Sequence, residues 1–154
     1  DLDVIFEIFK KSPGYFQKVE NSAPTLEITK NEFEGQPAKR SASYEKHFLI
    51  IYFDNTAIGV ADLHKDHMAV GSTYVGLFLL VEGQQKKGQG QKIFKKVEEY
   101  CKNILGSSRL VLGVSDDNEV SGFWQKIGFQ FNGHTYTFKG LHRETFVREM
   151  QKDI

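Results

Sequence analysis

The chain lacks most of what would brace it covalently or stiffen its backbone. Its 154 residues include one cysteine and three prolines. A single cysteine closes no internal disulfide, so stability has to come from packing, and a chain of this length buries a full core as one domain, residues 1–154. Neither sign of charge is in excess, with 20 Lys and Arg against 20 Asp and Glu. No overall field therefore draws the chain to nucleic acid or to an anionic membrane, and partners must be recognised locally. No apolar run reaches the roughly 18 residues of a membrane span, and no secretory leader is visible, so the expected location is the cytoplasm. Internal repeats and low-complexity segments are missing too.

What is present is a succession of short helices and strands. Val4, Ile5, Ile8 and Phe9 recur at helical spacing within Asp1 to Lys11, and Ser12-Pro13-Gly14 stops that helix. Tyr15 to Val19 suits a short helical turn, and Thr25 to Glu34 a second helix starting at Pro24. Residues 35–45 are polar and read as a loop. His47 to Phe53 and Thr56 to Leu63 read as strands around an Asp54-Asn55 turn. The apolar run Tyr74 to Val81 suits a strand buried on both faces. Glu82-Gly83-Gln84-Gln85-Lys86-Lys87-Gly88-Gln89-Gly90 then leads into a helix whose apolar stripe is Ile93, Phe94, Val97, Cys101, Ile104 and Leu105. Cys101 falls on that stripe and reads as a small core residue. Gly106 suits a helix C-cap, followed by a parallel strand from Arg109 to Val114. Asp116-Asp117-Asn118 are expected to cap a helix over Val120 to Ile127. Strand pieces at Phe129 to Phe131, Thr135 to Lys139 and Thr145 to Met150 close the chain.

The strand, basic Gly-containing loop and helix around residue 88 form a unit able to hold phosphate. Amides of a first helical turn lack intrahelical partners, the helix dipole is positive there, and glycine lets anionic oxygens approach the backbone. A P-loop would need Lys and then Ser or Thr after the closing glycine, but Gln89 and Gly90 follow Gly88. A dinucleotide fingerprint would need a third glycine where Ile93 stands. What fits is Gln85-Lys86-Lys87-Gly88-Gln89-Gly90 after a strand, which resembles motif A of the GNAT superfamily of N-acetyltransferases. Downstream, Leu110 to Val114, Asn118 and Ser121-Gly122-Phe123-Trp124-Gln125-Lys126-Ile127-Gly128-Phe129 look like the superfamily's motif B. The resemblance covers roughly two thirds of the chain, from Phe48 onward. Pro13-Gly14-Tyr15-Phe16 and Ala57 to Leu63 are similar to a bacterial subgroup with poorly defined substrates.

The resemblance implies an α/β fold of the α+β mixed-sheet kind, a central sheet flanked by helices with its two central strands splayed. It implies acetyl-CoA as cosubstrate, with no metal. The pantetheine arm would pair with the backbone of Phe78 and Leu80, and residues Gln85, Lys86, Lys87, Gly88, Gln89, Gly90 and Gln91 would take the pyrophosphate. Asn118 would reach the pantetheine, and Phe123 and Trp124 would pack near the sulfur. The partners implied are acetyl-CoA and an amine acceptor, with a homodimer possible because dimers are frequent in the superfamily. The expected reaction is direct attack of a primary amine of a small molecule or peptide on the thioester in a ternary complex.

Two departures from the pattern bear on the chemistry. Trp124 stands where many members carry the tyrosine that reprotonates the thiolate, so Tyr136 or a water is the candidate donor. Glu82 replaces the proline common at the strand end. For the base, Asp62, Glu82 and Tyr74 are candidates by strand position, with Asp62 preferred. The Trp124 substitution also supports an alternative, a non-catalytic acyl-CoA-binding or regulatory protein. Asp62-Leu63-His64-Lys65-Asp66-His67 offers four potential metal ligands, but no further Cys or His completes a tetrahedral set, so a polar hairpin loop is expected there.

Overall fold

The computed structural model describes residues 1–85, 88–139 and 144–154. Among them, six strands form one mixed sheet in the order β1-β2-β3-β4-β6-β5. Three helices precede it: α1 (Leu2–Lys10), α2 (Pro13–Val19) and α3 (Leu26–Glu34). The strands are β1 (Glu45–Phe53), β2 (Thr56–Lys65), β3 (Ser72–Leu80), β4 (Arg109–Ser115), β5 (Gln130–Lys139) and β6 (Glu144–Asp153). Helix α4 (Gln89–Asn103) crosses from β3 to β4, and α5 (Ser121–Lys126) follows β4. The mixed sheet, flanking helices and parted central strands are those expected from the sequence.

Alternation along the strands builds two cores, one on each face of the sheet. Ala61, Leu63, Val75, Leu110, Leu112 and Met150 pack under Phe94, Val97 and Cys101 of α4 and under Trp124 and Phe129. On the other face Ile58, Val60, Leu77 and Leu79 pack against Ile5, Ile8, Phe9, Phe16 and Ile28 of the N-terminal helices. Cys101 is fully enclosed, and burial pushes its thiol up to about 12, so it is a core residue and no nucleophile.

Local chemistry differs from the sequence expectation at five places. Thr25, not Pro24, starts α3: its side chain accepts from the Ile28 N–H at 3.1 Å. The strand expected to end at Leu63 runs on to Lys65 through residues read as a polar hairpin loop, so His64 joins Asp62 on the sheet. Ile104 ends outside α4 and is 68% exposed. The N-cap of α5 is Val120, without a side-chain cap among the described residues, rather than one of Asp116 to Asn118, and Glu119 accepts from the Ser121 N–H at 2.8 Å. The two strand pieces expected on either side of Asn132-Gly133 are one strand, β5, with a register shift between Phe131 and Thr135. At the first hairpin, by contrast, Asp54 and Asn55 both take the positive φ of the expected two-residue turn.

Candidate active site

The middle of the sheet is opened by a bulge. Asp62 pairs with Leu77 and Leu63 with Val75, which leaves Gly76 unpaired on β3. A bulge bends its strand and increases the local twist. The parallel pairing of β3 with β4 ends there, at Val75 opposite Leu112, although β3 runs on to Leu80 and β4 to Ser115. A side chain at position 76 would push on the polar groups facing it, because a Cβ would lie 2.9 Å from His64 Nε2 and 3.3 Å from Asp62 Oδ2. The N–H of Val81 bonds the Ile58 carbonyl at 2.9 Å, and Leu80 and Phe78 stand opposite Gly59 and Ala61. Antiparallel alternation then turns the backbone N–H and C=O of Phe78 and Leu80 away from β2 and into the gap. The Leu80 carbonyl accepts from Gln85 Nε2 at 2.7 Å, which ties the loop to the strand end.

At that end of the gap the chain turns into α4. Gly88 occupies the N-cap with φ +71° and α4 begins at Gln89 with no side-chain cap, so its first amides stay unpaired within the helix. Gln85, Gly88 and Gln91 are exposed, Gln89 is half-buried and Gly90 is buried. A Cβ at Gly88 would meet nothing within 4 Å, so no side chain seals this turn among the described residues, whereas one at Gly90 would press on the Phe123 ring at 3.3 Å. Lys86 and Lys87 lie outside the described residues. Phe123 stacks on Phe78, with centroids 6.5 Å apart and rings inclined by 12°. Trp124 is buried in a cluster with Phe94 and Phe129, at 4.9 and 5.4 Å. Asn118 is half-buried and its N–H bonds the Ser115 carbonyl at 3.1 Å.

A cavity of about 620 Å³ occupies the face of the sheet under α2 and α3 and reaches the gap. Of the residues singled out in the sequence, Asp62, Tyr74, Phe78, Asn118, Trp124 and Tyr136 line it, whereas Leu80, Gln85, Gly88 to Gln91 and Phe123 lie at the loop end. Its floor is a polar row. Asp62 Oδ2 forms an ion pair with Lys46 Nζ at 3.1 Å and lies 2.9 Å from His64 Nε2, while Oδ1 is buried with no partner among the described residues. Lys46 is held further by the carbonyls of Glu32 and Gly35 at 2.7 and 2.6 Å. His64 Nδ1 is 2.8 Å from the Tyr44 hydroxyl. Burial, with Asp62 nearby, pushes the Glu32 carboxyl up to about 7. Burial and His64 lower the pKa of His67, which favours the neutral imidazole. Further along, the Tyr74 and Tyr136 hydroxyls hydrogen-bond, and burial raises both above the ordinary tyrosine value.

In this row the sequence pointed to Asp62, Tyr74 and Tyr136 for proton transfer and to His64 and His67 only as potential metal ligands; it did not point to Lys46, Tyr44 or Glu32. Tyr44, His64 and His67 come from segments read as loop, and only the fold of the sheet brings them together with the others. Glu82, the other base candidate, is engaged elsewhere. Its carboxylate accepts from the Gly14 N–H at 3.0 Å and its own N–H bonds the Lys11 carbonyl.

A parted parallel strand pair, an uncapped helix entrance beside it and a polar cavity beneath it match a known family. The model of the Acetyltransferase (GNAT) family matches residues 4–129. The chain belongs to that family. GNAT acetyltransferases are also its neighbours in structure. An acetyltransferase from Thermus thermophilus superposes with a TM-score of 0.76 at 18% identity, covering 100% of this chain and 91% of that one. The PaiA N-acetyltransferase of Thermoplasma acidophilum, solved in complex with coenzyme A, gives 0.65 at 18% identity, covering 100% and 93%. A ribosomal-protein-alanine N-acetyltransferase from Brucella melitensis gives 0.66 at 15% identity, covering 100% and 94%. At these identities the likeness is one of GNAT fold. No curated protein matches the chain. Among the described residues, no helix is long and apolar enough to cross a membrane.

Proposed function

We propose that this protein is an acetyl-CoA-dependent N-acetyltransferase that transfers the acetyl group to a primary amine of a small molecule or peptide by direct attack in a ternary complex. The observation that carries the reading is the gap: β3 runs five residues past its last pair with β4, and the backbone of Phe78 and Leu80 is turned into the opening beside a helix entrance. An extended amide chain suits such an edge, and a diphosphate suits the amides of Gly88 to Gln91. Lys86 and Lys87 would add charge, and Gln85 would brace the loop. Asn118, Phe78, Phe123 and Trp124 would line the arm's path. When bound, acetyl-CoA supplies the activated acyl group and a thiolate leaving group.

On the cavity side, Asp62 presents a carboxylate to an incoming ammonium. Lys46 and His64 hold its Oδ2 in place, and the Asp62 carboxylate takes the ammonium proton. The Tyr136 hydroxyl stands near the start of the gap as a proton donor to the leaving sulfur. A cavity of about 620 Å³ has room for a compact acceptor or the end of a peptide. Calorimetry with acetyl-CoA, followed by thiol release over a panel of amines, tests the reading. Micromolar binding and turnover of at least one amine are expected. Binding without turnover at neutral to alkaline pH would favour a non-catalytic acyl-CoA-binding protein, which is the reading suggested by the enclosed indole of Trp124.

A further inference from the structure

Resting on the acetyl-transfer reading, we infer that Tyr74 and Tyr136 work as one proton-donating unit for the departing thiolate, and that Gly113 is the residue that lets their hydroxyls meet. The two tyrosines come from β3 and β5, with β4 and β6 between them in the sheet. Their hydroxyls bond across β4, directly over Gly113. A Cβ at position 113 would lie 2.5 Å from Tyr136 Oη, 2.9 Å from Tyr74 Oη and 2.5 Å from Val147 Cγ1. Any side chain there would therefore drive the pair apart. The contact sits where the sheet opens, since Val75 and Leu112 make the last β3–β4 pair and Gly113 is the first β4 residue beyond it. Both tyrosines line the cavity, as does Gly113.

Chemistry explains why two hydroxyls serve better than one. In water a tyrosine is a weaker acid than a cysteine thiol by about 1.5 pKa units, and burial raises both tyrosines further, so a lone phenol protonates a thiolate uphill. A second hydroxyl that donates to the emerging phenolate oxygen offsets that cost, because hydrogen bonds to the charged form stabilise it. Burial keeps both groups in the O–H form, and Glu149, Tyr15 and the ring of His67, 5.8 Å from Tyr74, are their neighbours from β6, α2 and the β2–β3 turn. The protons balance. The acceptor enters as an ammonium and loses one proton before attack and a second when the tetrahedral centre collapses. The C–S bond breaks with its electron pair on sulfur, and an S–H bond forms as one tyrosine O–H breaks. Its partner refills that oxygen, the amine's second proton refills the partner, and the first leaves to solvent. Trp124 cannot take this place, since its indole is packed among Phe94, Phe123 and Phe129.

The test uses the whole chain with acetyl-CoA and an amine that the wild type acetylates. Tyr74→Phe and Tyr136→Phe are each expected to lower kcat by roughly 10²-fold, with the KM for acetyl-CoA and the calorimetric CoA affinity unchanged. The double variant is expected to fall no further than the worse single one, since the pair is one unit. In mixed H₂O and D₂O, the wild type should give a bowed proton inventory, and Tyr74→Phe a linear one, a change that lost packing alone does not produce. Gly113→Ala should mimic the single variants; should it fail to fold, the phenylalanine variants decide alone. Wild-type kcat in Tyr74→Phe, or single effects that multiply in the double variant, would overturn the unit while leaving the acetyltransferase reading intact. Absence of turnover by the wild type would overturn both.

Discussion

Replacing Asp62 separates what the polar row does for stability from what it does for chemistry. Lys46 Nζ and Asp62 Oδ2 are 3.1 Å apart, and their side chains are only 9% and 5% exposed. Removing one partner of such a buried pair leaves an uncompensated charge and costs about 3–5 kcal/mol. In Asp62→Leu, Lys46 keeps the Glu32 and Gly35 carbonyls, which places the cost near the lower end, about 3 kcal/mol. For a chain of this size each kcal/mol moves the melting temperature by roughly 2–4 °C, so a fall of about 6–12 °C is expected. The double variant Lys46→Met and Asp62→Leu removes both charges, and replacing a buried pair by apolar groups of similar volume is often neutral or stabilising. Its melting temperature should return to within a few degrees of wild type. Thiol release should stay at background in both variants, because the charge proposed to meet the acceptor is gone in both. Thermal unfolding followed by circular dichroism, together with thiol release, reads the two effects. An unchanged melting temperature in Asp62→Leu, or turnover regained in the double variant, would refute the reasoning.

Three further outcomes follow from the geometry. Gly88→Val forces a β-branched residue to φ +71° at an exposed turn, at a cost of about 1–2 kcal/mol, and should lower CoA affinity at least tenfold in calorimetry while the fold persists. Glu32 has a folded-state value raised to about 7 from an ordinary 4.5. Its contribution is therefore most favourable below pH 4.5 and is lost as pH rises through about 7, because the unfolded state sheds the proton first. Glu32→Gln should thus raise the melting temperature at pH 8 and leave it nearly unchanged at pH 4.5, the ordinary glutamate value; an equal effect at both would contradict the burial. Cys101, fully enclosed and raised to about 12, should resist aromatic disulfide reagents in the native protein and react at once in denaturant.

The sequence carried the parts of this fold that depend on local pattern. The apolar run at β3, the stripe Phe94, Val97 and Cys101 on α4, and the glycines at the turn between them follow from periodicity and from the backbone freedom of glycine at Gly88. Other features depend on register, which no local pattern encodes. The bulge at Gly76 places Asp62 opposite Leu77 and Leu63 opposite Val75, and this one-residue shift aligns Asp62, His64 and Tyr74 on the cavity face. Gly113 looked like an ordinary strand residue because its reason, two tyrosines meeting over it, lies 39 residues away on one side and 23 on the other. The polar character of the stretch after Leu63 suggested a loop, yet β2 runs on through His64 and Lys65 and carries the Asp62 charge buried against Lys46. Ile104 fits the helical period but falls one residue past the last turn of α4, so it meets solvent.

The proposed acetyl transfer depends on the opened edge of β3 as the grip for a thioester arm, and amide hydrogen exchange resolved to single residues tests that grip. The Phe78 and Leu80 amides face the gap without a ladder partner among the described residues, whereas Val81 is bonded to Ile58. Without ligand, Phe78 and Leu80 should exchange much faster than Val81, and saturating CoA should slow them sharply while leaving Val81 unchanged. Equal exchange at all three positions without ligand, or no slowing at Phe78 and Leu80 when CoA binds, would contradict it.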